Sequence, residues 1–419
     1  MNVYDGLRIT AMLEHHGFVH TDDVADADII LLNTCAVRAK ATDKVYSALG
    51  RIRRAKKPDA IYGIVGCVAR ESGSDAFRKI KDLNFVLGPQ SYHKLPEILN
   101  DPDTKLLDIN LGGLEKFDEL PPVTKSPLVA YIPVQEGCNH CCTYCIVPYT
   151  RGPEISRPFD DIMAETMHSA SVGAIEICFL GQNVNGYKYT DKNGKIYRLS
   201  DVIKATAKID SVKRIRFTSS YPTEMTDDLI ELFGTEPKLL PFLNMPIQSG
   251  SDNILKKMNR QYNLSEYMTL IDKFKAIRPD IQISSDFIVG FPGESDADFD
   301  QTMDAAKRVG YINSYSFKYS PRPHTAAAIM PNQVPEAIKS ERLIKLDSLL
   351  NERQREFNLS CVDKTFECLY EGPDKTGIKH IYRTPYMQPC IVTTDCPAPL
   401  ANIKITSANK SCLHGKVIN

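Results

Sequence analysis

The chain reads as an α/β protein: an N-terminal parallel-sheet α/β domain, a partial (β/α)6 barrel, and a small C-terminal β-barrel. Three observations predict this. Strand-like and helix-like segments alternate over residues 1 to about 120, and six further apolar, β-rich runs separated by helix-like stretches extend from Leu128 to about Lys318. The last 55 or so residues hold short β-like runs and no convincing helix. Alternating strands and helices argue for parallel sheets covered by helices, and short strands alone argue for a barrel.

The first domain is expected over residues 1–122. A helix-like opening leads to a strand at Asp28–Asn33, a helix over Val37–Ala55, and strands at Ala60–Val65 and Asn84–Leu87. Pro121, Pro122 and Pro127 mark a linker. The second domain, 123–358, holds the six runs Val129–Gln135, Ala174–Leu180, Lys213–Thr218, Phe242–Ile247, Ile281–Val289 and Ile312–Tyr319. Asp160–Ser171 and Ser295–Arg308 are the clearest helices between them, and an amphipathic helix over roughly Pro335–Phe357 closes the domain. In such folds the chemistry gathers at the C-terminal ends of the strands. The unusual sequences lie there: EGCNHCCTYC, GQNVNG, SSYP, PIQSGSD, GFPGE and SPRPHT follow or end the runs in turn. The third domain, 359–419, carries the runs Thr365–Tyr370, Cys390–Thr394, Ala401–Thr406 and Gly415–Ile418.

A length of 419 residues suits two or three domains, and 42% apolar with 25% charged residues is ordinary for a soluble globular chain. Lys plus Arg number 51 against 52 Asp plus Glu, a net charge of −1, so nucleic-acid binding would need local basic patches. No apolar run approaches the roughly 18 residues of a membrane span, and MNVYDGLRIT has no signal-peptide pattern. A cytoplasmic protein with no membrane partner is therefore expected. Its 12 cysteines are too sparse for a disulfide scaffold and are expected as thiols, metal ligands or catalytic groups.

Four of those cysteines, Cys138, Cys141, Cys142 and Cys145, fall within eight residues. Three thiolates on one short loop can take three corners of a 4Fe–4S cube and leave the fourth iron open. An open iron can chelate the amino and carboxylate groups of S-adenosylmethionine (SAM), and Cys-x3-Cys-x2-Cys is the radical-SAM spacing. One electron then cleaves SAM to a deoxyadenosyl radical. Zinc would normally add a second two-ligand knuckle, and residues 146–177 contain none. Cys141 permits the other register, Cys138-x2-Cys141-x3-Cys145. Tyr144 suits an aromatic packing on SAM or a core position. Gly181 and Gly290 can bring backbone close to a ligand. Gln182, Asn183, Gln248, Ser249, Ser251, Asp286 and Glu294, on the same loops, complete the candidate SAM contacts. Each such loop alone is usually only a turn.

GCNHCCTYCIVPYTRGPEISRP (Gly137–Pro158), LGQNVN (Leu180–Asn185), PIQSGSD (Pro246–Asp252) and SSDFIVGFPGE (Ser284–Glu294) resemble the radical SAM methylthiotransferases, closely the MiaB type. So do LLNTCAVRAKATDKV (Leu31–Val45) and GCVAR (Gly66–Arg70). The resemblance covers essentially the whole chain, and TRGPEISRP looks like the tRNA-modifying branch. It implies an N-terminal methylthiotransferase domain with an auxiliary 4Fe–4S cluster, a radical-SAM core, and a C-terminal RNA-binding module of the TRAM type. It also implies an electron donor, a monomer, and 2-methylthiolation of isopentenyl-adenosine next to the anticodon of tRNA. One SAM gives the methyl group and another gives the radical. Cys35 and Cys67 match two auxiliary-cluster ligands, each following a strand where a lone buried thiol would be the default. The third ligand of the family precedes a Met-Asn pair. Met1 and Asn2 match that pair, so the third ligand and its strand are expected upstream.

Arg38–Lys57 holds eight Lys or Arg against the single acid Asp43. Arg53, Arg54, Lys56 and Lys57 are its candidate phosphate contacts, with a solvated helix face as the plain alternative. Arg151 and Arg157 are further candidates for RNA, with ion pairs as the alternative. Tyr382 and Tyr386 could stack on bases or fill a barrel core, and Phe366 suits the core better. Two other functions remain open at this point: a sister methylthiotransferase acting on threonylcarbamoyl-adenosine or a ribosomal protein, and a non-catalytic Fe–S RNA-binding relic.

Overall fold

The computed structural model of the protein describes residues 1–36, 39–96, 105–111, 113–124, 126–394 and 397–418, with the side chains of 39–41 and 115 outside the description. Val37, Arg38 and the Lys40 side chain, expected in the basic helix, therefore lie outside the described residues.

The N-terminal domain is a four-stranded parallel sheet in sequence order: β1 (Ile29–Thr34), β2 (Ile61–Gly66), β3 (Phe85–Leu87) and β4 (Leu106–Asp108). Helices Asn2–His15 and Ala39–Ala55 flank it. β4 is not anticipated by the sequence: its LLD is as short as β3 and ends in an acid rather than a third apolar residue. The helix Val37–Ala55 is realised as Ala39–Ala55. In register, Thr34 pairs with Gly66, so the chain leaves neighbouring strands side by side at Cys35 and Cys67.

The middle domain is an open parallel barrel. Its strands are β5 (Val129–Pro133), β8 (Glu176–Leu180), β11 (Arg214–Phe217), β12 (Phe242–Asn244), β13 (Gln282–Ser284), β14 (Asp286–Val289) and β15 (Tyr315–Lys318). The short pair β6 (Gln135–Glu136) and β7 (Ile155–Ser156) brackets the cysteine loop, and the hairpin β9 (Lys188–Thr190)–β10 (Ile196–Arg198) lies outside the barrel. All six predicted runs become strands, but Ile281–Val289 is split at Ser285. That residue is fully buried; its Oγ accepts from Ile247 N at 2.9 Å and its N donates to Ser314 Oγ at 3.0 Å. The split lets β13 pair with β12 while β14 pairs with β15.

Side-chain alternation explains the packing. Ala130 and Ile132 of β5 enter the barrel core, whereas Val129 and Tyr131 face out. Cys178 and Leu180 of the wholly buried β8 join that outer face, and Tyr4 and Phe117 of the N-terminal domain cover it. The N-terminal domain thereby covers the outer face of the edge strand β5.

The C-terminal domain is a closed five-stranded barrel, β16 (Thr365–Pro373), β17 (His380–Arg383), β18 (Pro389–Val392), β20 (Leu413–Val417) and β19 (Leu400–Ala408). β17 is the strand the sequence does not announce, since HIYR mixes polar and apolar residues without alternation. Tyr382, considered as a base-stacking residue, is fully buried in this barrel's core. Phe366 packs against the same core, and Tyr386 stands edge-on to Phe357 and Phe366.

The small barrel docks at the N-terminal ends of the large barrel's strands, opposite the cysteine loop. Arg214, the first residue of β11, donates to the carbonyls of Arg383 and Thr384 at 3.0 and 3.1 Å. Tyr386 OH donates to Asp280 at 3.0 Å just ahead of β13. The helix Glu336–Ser360 links the two bodies. Among the described residues no helix is long and apolar enough to cross a membrane.

Phe233 sits edge-on to Phe217 and Phe274, with ring centroids 5.9 and 5.3 Å away, at the middle of the large core. Phe233→Ala should destabilise the barrel by about 3–5 kcal/mol, because the vacated volume is only partly refilled. Chemical unfolding followed by near-ultraviolet circular dichroism measures this.

Candidate functional site

The cysteine loop leaves β6 at Gly137. That residue has φ 76°, and a Cβ there would lie 1.9 Å from the Pro153 carbonyl, so only glycine fits. Gly137 N donates to Gln182 Oε1 at 2.6 Å, which ties the loop to the end of the next barrel strand. Cys138 N donates to Gly152 O at 3.2 Å, Thr143 N to Met258 O at 3.1 Å, and Ala327 N to Thr143 O at 2.8 Å. Three different segments thus hold the loop over the strand ends.

The two candidate registers differ in their surroundings. Cys141 is exposed, with its thiol directed to Asn139 O at 3.7 Å. Cys142 packs against the barrel core and accepts from Arg260 Nη1 at 3.5 Å. Cys145 accepts from Val147 N at 3.4 Å. Cys138, Cys142 and Cys145 are thus the more enclosed of the two sets. Burial pushes the Cys138 thiol up to about 12 and the Cys145 thiol to about 11. A metal that displaces the thiol proton relieves that penalty, and N–H donors already aimed at two of the sulfurs suit thiolates. Among the described residues no three His, Cys, Asp or Glu side chains are placed for a single ion; a cube takes its ligands at separate corners. The residues fit an iron–sulfur cube.

Around the loop lies a polar cluster. Asn183, 1% exposed, donates to Glu154 at 3.2 Å and to Glu224 at 2.5 Å, while its Oδ1 has no partner. His140 is 3.1 Å from Glu224 and stacks on Tyr221 at 3.7 Å between centroids. Arg260 also lies over the Tyr221 ring, 4.3 Å from its centroid. Burial lifts the Glu154 carboxyl above its ordinary value; the Asn183 hydrogen bond opposes this and the Glu224 charge adds to it. Sequence reasoning passed over Glu154, Glu224 and Arg260. The first two lie in or beside motifs it had singled out, but Arg260 carries no local signal, being 118 residues from Cys142.

The remaining SAM candidates divide. Gly181 and Gln182 pack directly behind the loop, and a Cβ at Gly181 would meet Gln135 Cγ at 2.9 Å. Gln248, at φ 69°, bridges to β14 through Asp286 O and Ile288 N, both 2.9 Å, beside Asp286 itself. Tyr144 packs into an apolar group with Phe291, Met258 and Tyr319. Ser249 Oγ is 3.2 Å from Thr302 Oγ1, and Ser251 caps the helix Asp252–Lys257 and donates to Asp298 at 2.5 Å. Glu294 accepts from the Gly290 and Phe291 amides and pairs with Arg342 at 3.2 Å. In this structure the side chains of Ser249, Ser251 and Glu294 are engaged with the protein, holding the loops that Gln248 and Gly290 belong to.

The second pair of cysteines lies across the domain boundary. Cys67 is buried at the start of the helix Cys67–Ser72 and accepts from Arg151 Nε at 3.3 Å, whereas Cys35 is exposed. Arg322, from the loop after β15, donates to Ala36 O and pairs with Glu71 at 3.2 Å.

The basic candidates are corrected in part. Arg151 and Arg157 are 7% and 4% exposed and are committed to buried ion pairs, the alternative the sequence left open. Arg151 pairs with Asp5 and Glu136 at 3.2 and 2.9 Å, and Arg157 with Glu165 at 2.7 Å over the Phe117 ring. Their acidic partners come from other elements of the fold, so the motif alone does not name them. Arg54 is exposed; Arg53 and Lys57 pair at the surface with Asp82 and Asp28, both at 2.7 Å. Lys56 donates to the carbonyls of Lys57, Pro58 and Ala60 at 3.0–3.2 Å.

The Radical SAM superfamily matches residues 132–306, and the uncharacterized protein family UPF0004 matches 1–88. The fold is similar to the radical S-adenosylmethionine methyltransferase TsrM of Kitasatospora setae, with TM-score 0.55 at 14% identity over 78% of this chain and 71% of that one. Barrel and cysteine loop together define a radical SAM enzyme. Over its whole length the chain is 44% identical to the tRNA-2-methylthio-N(6)-dimethylallyladenosine synthase of Rickettsia rickettsii, covering 97% of that protein. It is 43% identical to that of Zymomonas mobilis, covering 95%. The chain belongs to the tRNA-2-methylthio-N(6)-dimethylallyladenosine synthase family.

Asp298 forms a capping box with Ser295 at the start of the helix Asp296–Val309 and holds the Ser251 loop. Burial pushes its carboxyl up, but bonds from Ser251, Ser295 and Asn253 outweigh that and hold it down at about 2. A carboxyl depressed on folding stabilises above its unfolded pKa of roughly 3.9 and loses that contribution as pH falls through its folded value. Asp298→Asn should therefore flatten the fall in stability between roughly pH 4 and 2, read by urea unfolding at stepped pH.

Proposed function

We propose that this chain is a radical SAM methylthiotransferase that places a 2-methylthio group on isopentenyl-adenosine next to the anticodon of tRNA. The observation that carries the reading is a three-thiol loop at the mouth of a parallel barrel, within a chain matched along its whole length by synthases of that name. Cys138, Cys142 and Cys145 hold the radical-SAM cluster, and Cys35 with Cys67 supply two ligands of an auxiliary 4Fe–4S cluster. With SAM, the first cluster supplies a primary alkyl radical, the kind of reagent a strong, non-acidic aromatic C–H requires.

The protein's own residues do the rest. Gln182 holds the Gly137 end of the loop, and Arg260 offers an N–H to Cys142. Glu154, Glu224 and the unpartnered Asn183 Oδ1 present acceptors beside the loop, suited to the amino group of SAM or the N–H groups of the adenine. The Gly181 and Gly290 turns, with Gln248, Asp286 and Tyr144, line the same mouth. The enzyme works as a cytoplasmic monomer with an external one-electron donor.

tRNA binding falls to local basic surface: Arg54 with Arg53 and Lys57, whose exposed ion pairs are weak enough to yield to phosphate. On the small barrel a cleft of about 430 Å³ is lined by Lys379, His414, Lys416 and threonines Thr393, Thr394 and Thr406. It lies on the body remote from the cysteine loop, so capture and chemistry are separable.

Anaerobically reconstituted protein that also carries the third auxiliary cysteine the resemblance implies, given SAM, dithionite and isopentenylated tRNA, should form deoxyadenosine and the 2-methylthio nucleoside, both measured by mass spectrometry. Changing Cys138, Cys142 and Cys145 together to Ala should abolish both; deoxyadenosine persisting in that variant contradicts the cluster assignment.

Removing residues from Ser360 onward should weaken binding of an isopentenylated anticodon stem-loop more than it slows SAM cleavage without RNA. Lys379→Glu with Lys416→Glu should lower the slope of log affinity against log salt by roughly one for each phosphate that is no longer neutralised. Filter binding at several salt concentrations reads both. Unchanged affinity and slope would place the RNA-binding surface on the other two domains.

A further inference from the structure

Arg151 stands between the two groups of cysteines. Its backbone ends the helix Val147–Arg151, which continues directly from Cys145. Its side chain turns into the N-terminal domain, where Nε donates to Cys67 Sγ at 3.3 Å. The other nitrogens are already committed: Nη1 donates to Glu136 at 2.9 Å and Nη2 to Asp5 at 3.2 Å. Glu136 lies just ahead of Cys138 and also pairs with Lys116, which meets Asp5 at 3.2 Å. Both ends of the Cys138–Cys145 loop therefore reach one guanidinium.

The Met1 amino group also lies near Asp5 and Arg151. Asp5 and Glu136 match Lys116 and Arg151, and all four side chains are no more than 6% exposed. No carboxylate is left for Nε, and that N–H is spent on sulfur. A guanidinium presents its donors in a rigid planar fork, so fixing two of its nitrogens on carboxylates aims the third. A charge-assisted bond to a thiolate in a dry site is stronger than in water and favours the more electron-rich state of whatever the thiolate ligates. Hydrogen bonds to the sulfurs are among the factors that set an iron–sulfur potential.

We propose that Arg151 is a positioning residue for methylthio transfer. It fixes the Cys67 sulfur in register with the loop of Cys138, Cys142 and Cys145, and it raises the reduction potential of the iron–sulfur group that Cys67 ligates. The proposal rests on Cys35 and Cys67 being auxiliary-cluster ligands. Orienting a ligand from the outer shell of a metal site is a general way of tuning the metal.

The test uses a chain that also carries the third auxiliary cysteine the resemblance implies, with Cys138, Cys142 and Cys145 changed to Ala, so that only the cluster held through Cys35 and Cys67 is seen. After anaerobic reconstitution, iron per chain is counted and the cluster is titrated with redox mediators, followed by electron paramagnetic resonance. Arg151→Met is combined with Glu136→Gln, which removes one base and one acid together and leaves Asp5 and Lys116 balanced. Arg151→Lys keeps the charge but cannot serve two carboxylates and a sulfur from one fork. The double variant should keep its iron and show a lower midpoint potential, by about tenfold in the reduced-to-oxidised ratio, 59 mV for a one-electron couple. The Lys variant should fall between. Iron lost from the double variant but kept by the Lys variant at lowered potential also supports the proposal. Equal potentials in all three proteins, with iron retained, overturn it. Failure of the background chain to bind iron while Arg151 is intact overturns the auxiliary-cluster reading itself, and the proposal with it.

Discussion

Four buried charges hold the two cysteine-bearing domains together. Asp5 comes from the first helix, Lys116 from the segment before the linker, Glu136 from the strand that launches the cysteine loop, and Arg151 from the helix that ends it. Removing such groups from water costs several kcal/mol apiece, recovered only when every charge is matched and well hydrogen-bonded. The arrangement is therefore close to all-or-none. It is satisfied only when the N-terminal sheet sits against the mouth of the barrel in one orientation, and that orientation brings Cys67 to Arg151. Tyr4 and Phe117, packed on the outer face of β5 and β8, supply the apolar part of the same interface.

The consequence for function is geometric. The parallel barrel collects six loops at one end, and the cysteine loop is pinned there by Gln182, Met258 and Ala327 from three of its neighbours. The N-terminal sheet presents its own strand ends, with Cys35 and Cys67, toward the same mouth. Two sets of thiols that are far apart in sequence thus share one side of the molecule. The small barrel, docked through Arg214 and Tyr386 at the opposite end, leaves that side clear. On the function proposed above, radical formation would fall to the barrel mouth, sulfur delivery to the domain across the boundary, and RNA capture to bodies that do not crowd the chemistry.

Much of this is written in the sequence, and what is missing has a physical reason. The six barrel runs and their loops are legible because buried parallel strands are apolar throughout and their C-terminal loops are rich in Gly, Pro and polar residues. The cysteine loop is legible because its spacing is local. β4 and β17 are not, since each mixes apolar with polar residues and shows no period. The arginines mark the sharper limit. Arg151 and Arg157 sit in a motif that invites a substrate role, yet their partners Asp5, Glu136 and Glu165 come from other elements, and only folding shows the charges to be matched. Arg260 is the converse: nothing near it in sequence points to Cys142, and the fold puts its guanidinium on that sulfur. Tyr382 shows the ambiguity of aromatics in a small barrel, where the residues able to stack on a base are also those able to fill the interior.

The central claim is that the radical and the sulfur belong to different cysteines. The most direct measurement counts deoxyadenosine and 2-methylthio nucleoside in one reaction with isopentenylated tRNA, using the Cys67→Ala variant of a chain that also carries the third auxiliary cysteine the resemblance implies. The account predicts continued formation of deoxyadenosine with no methylthio product. Equal loss of both, or retention of both, would contradict it.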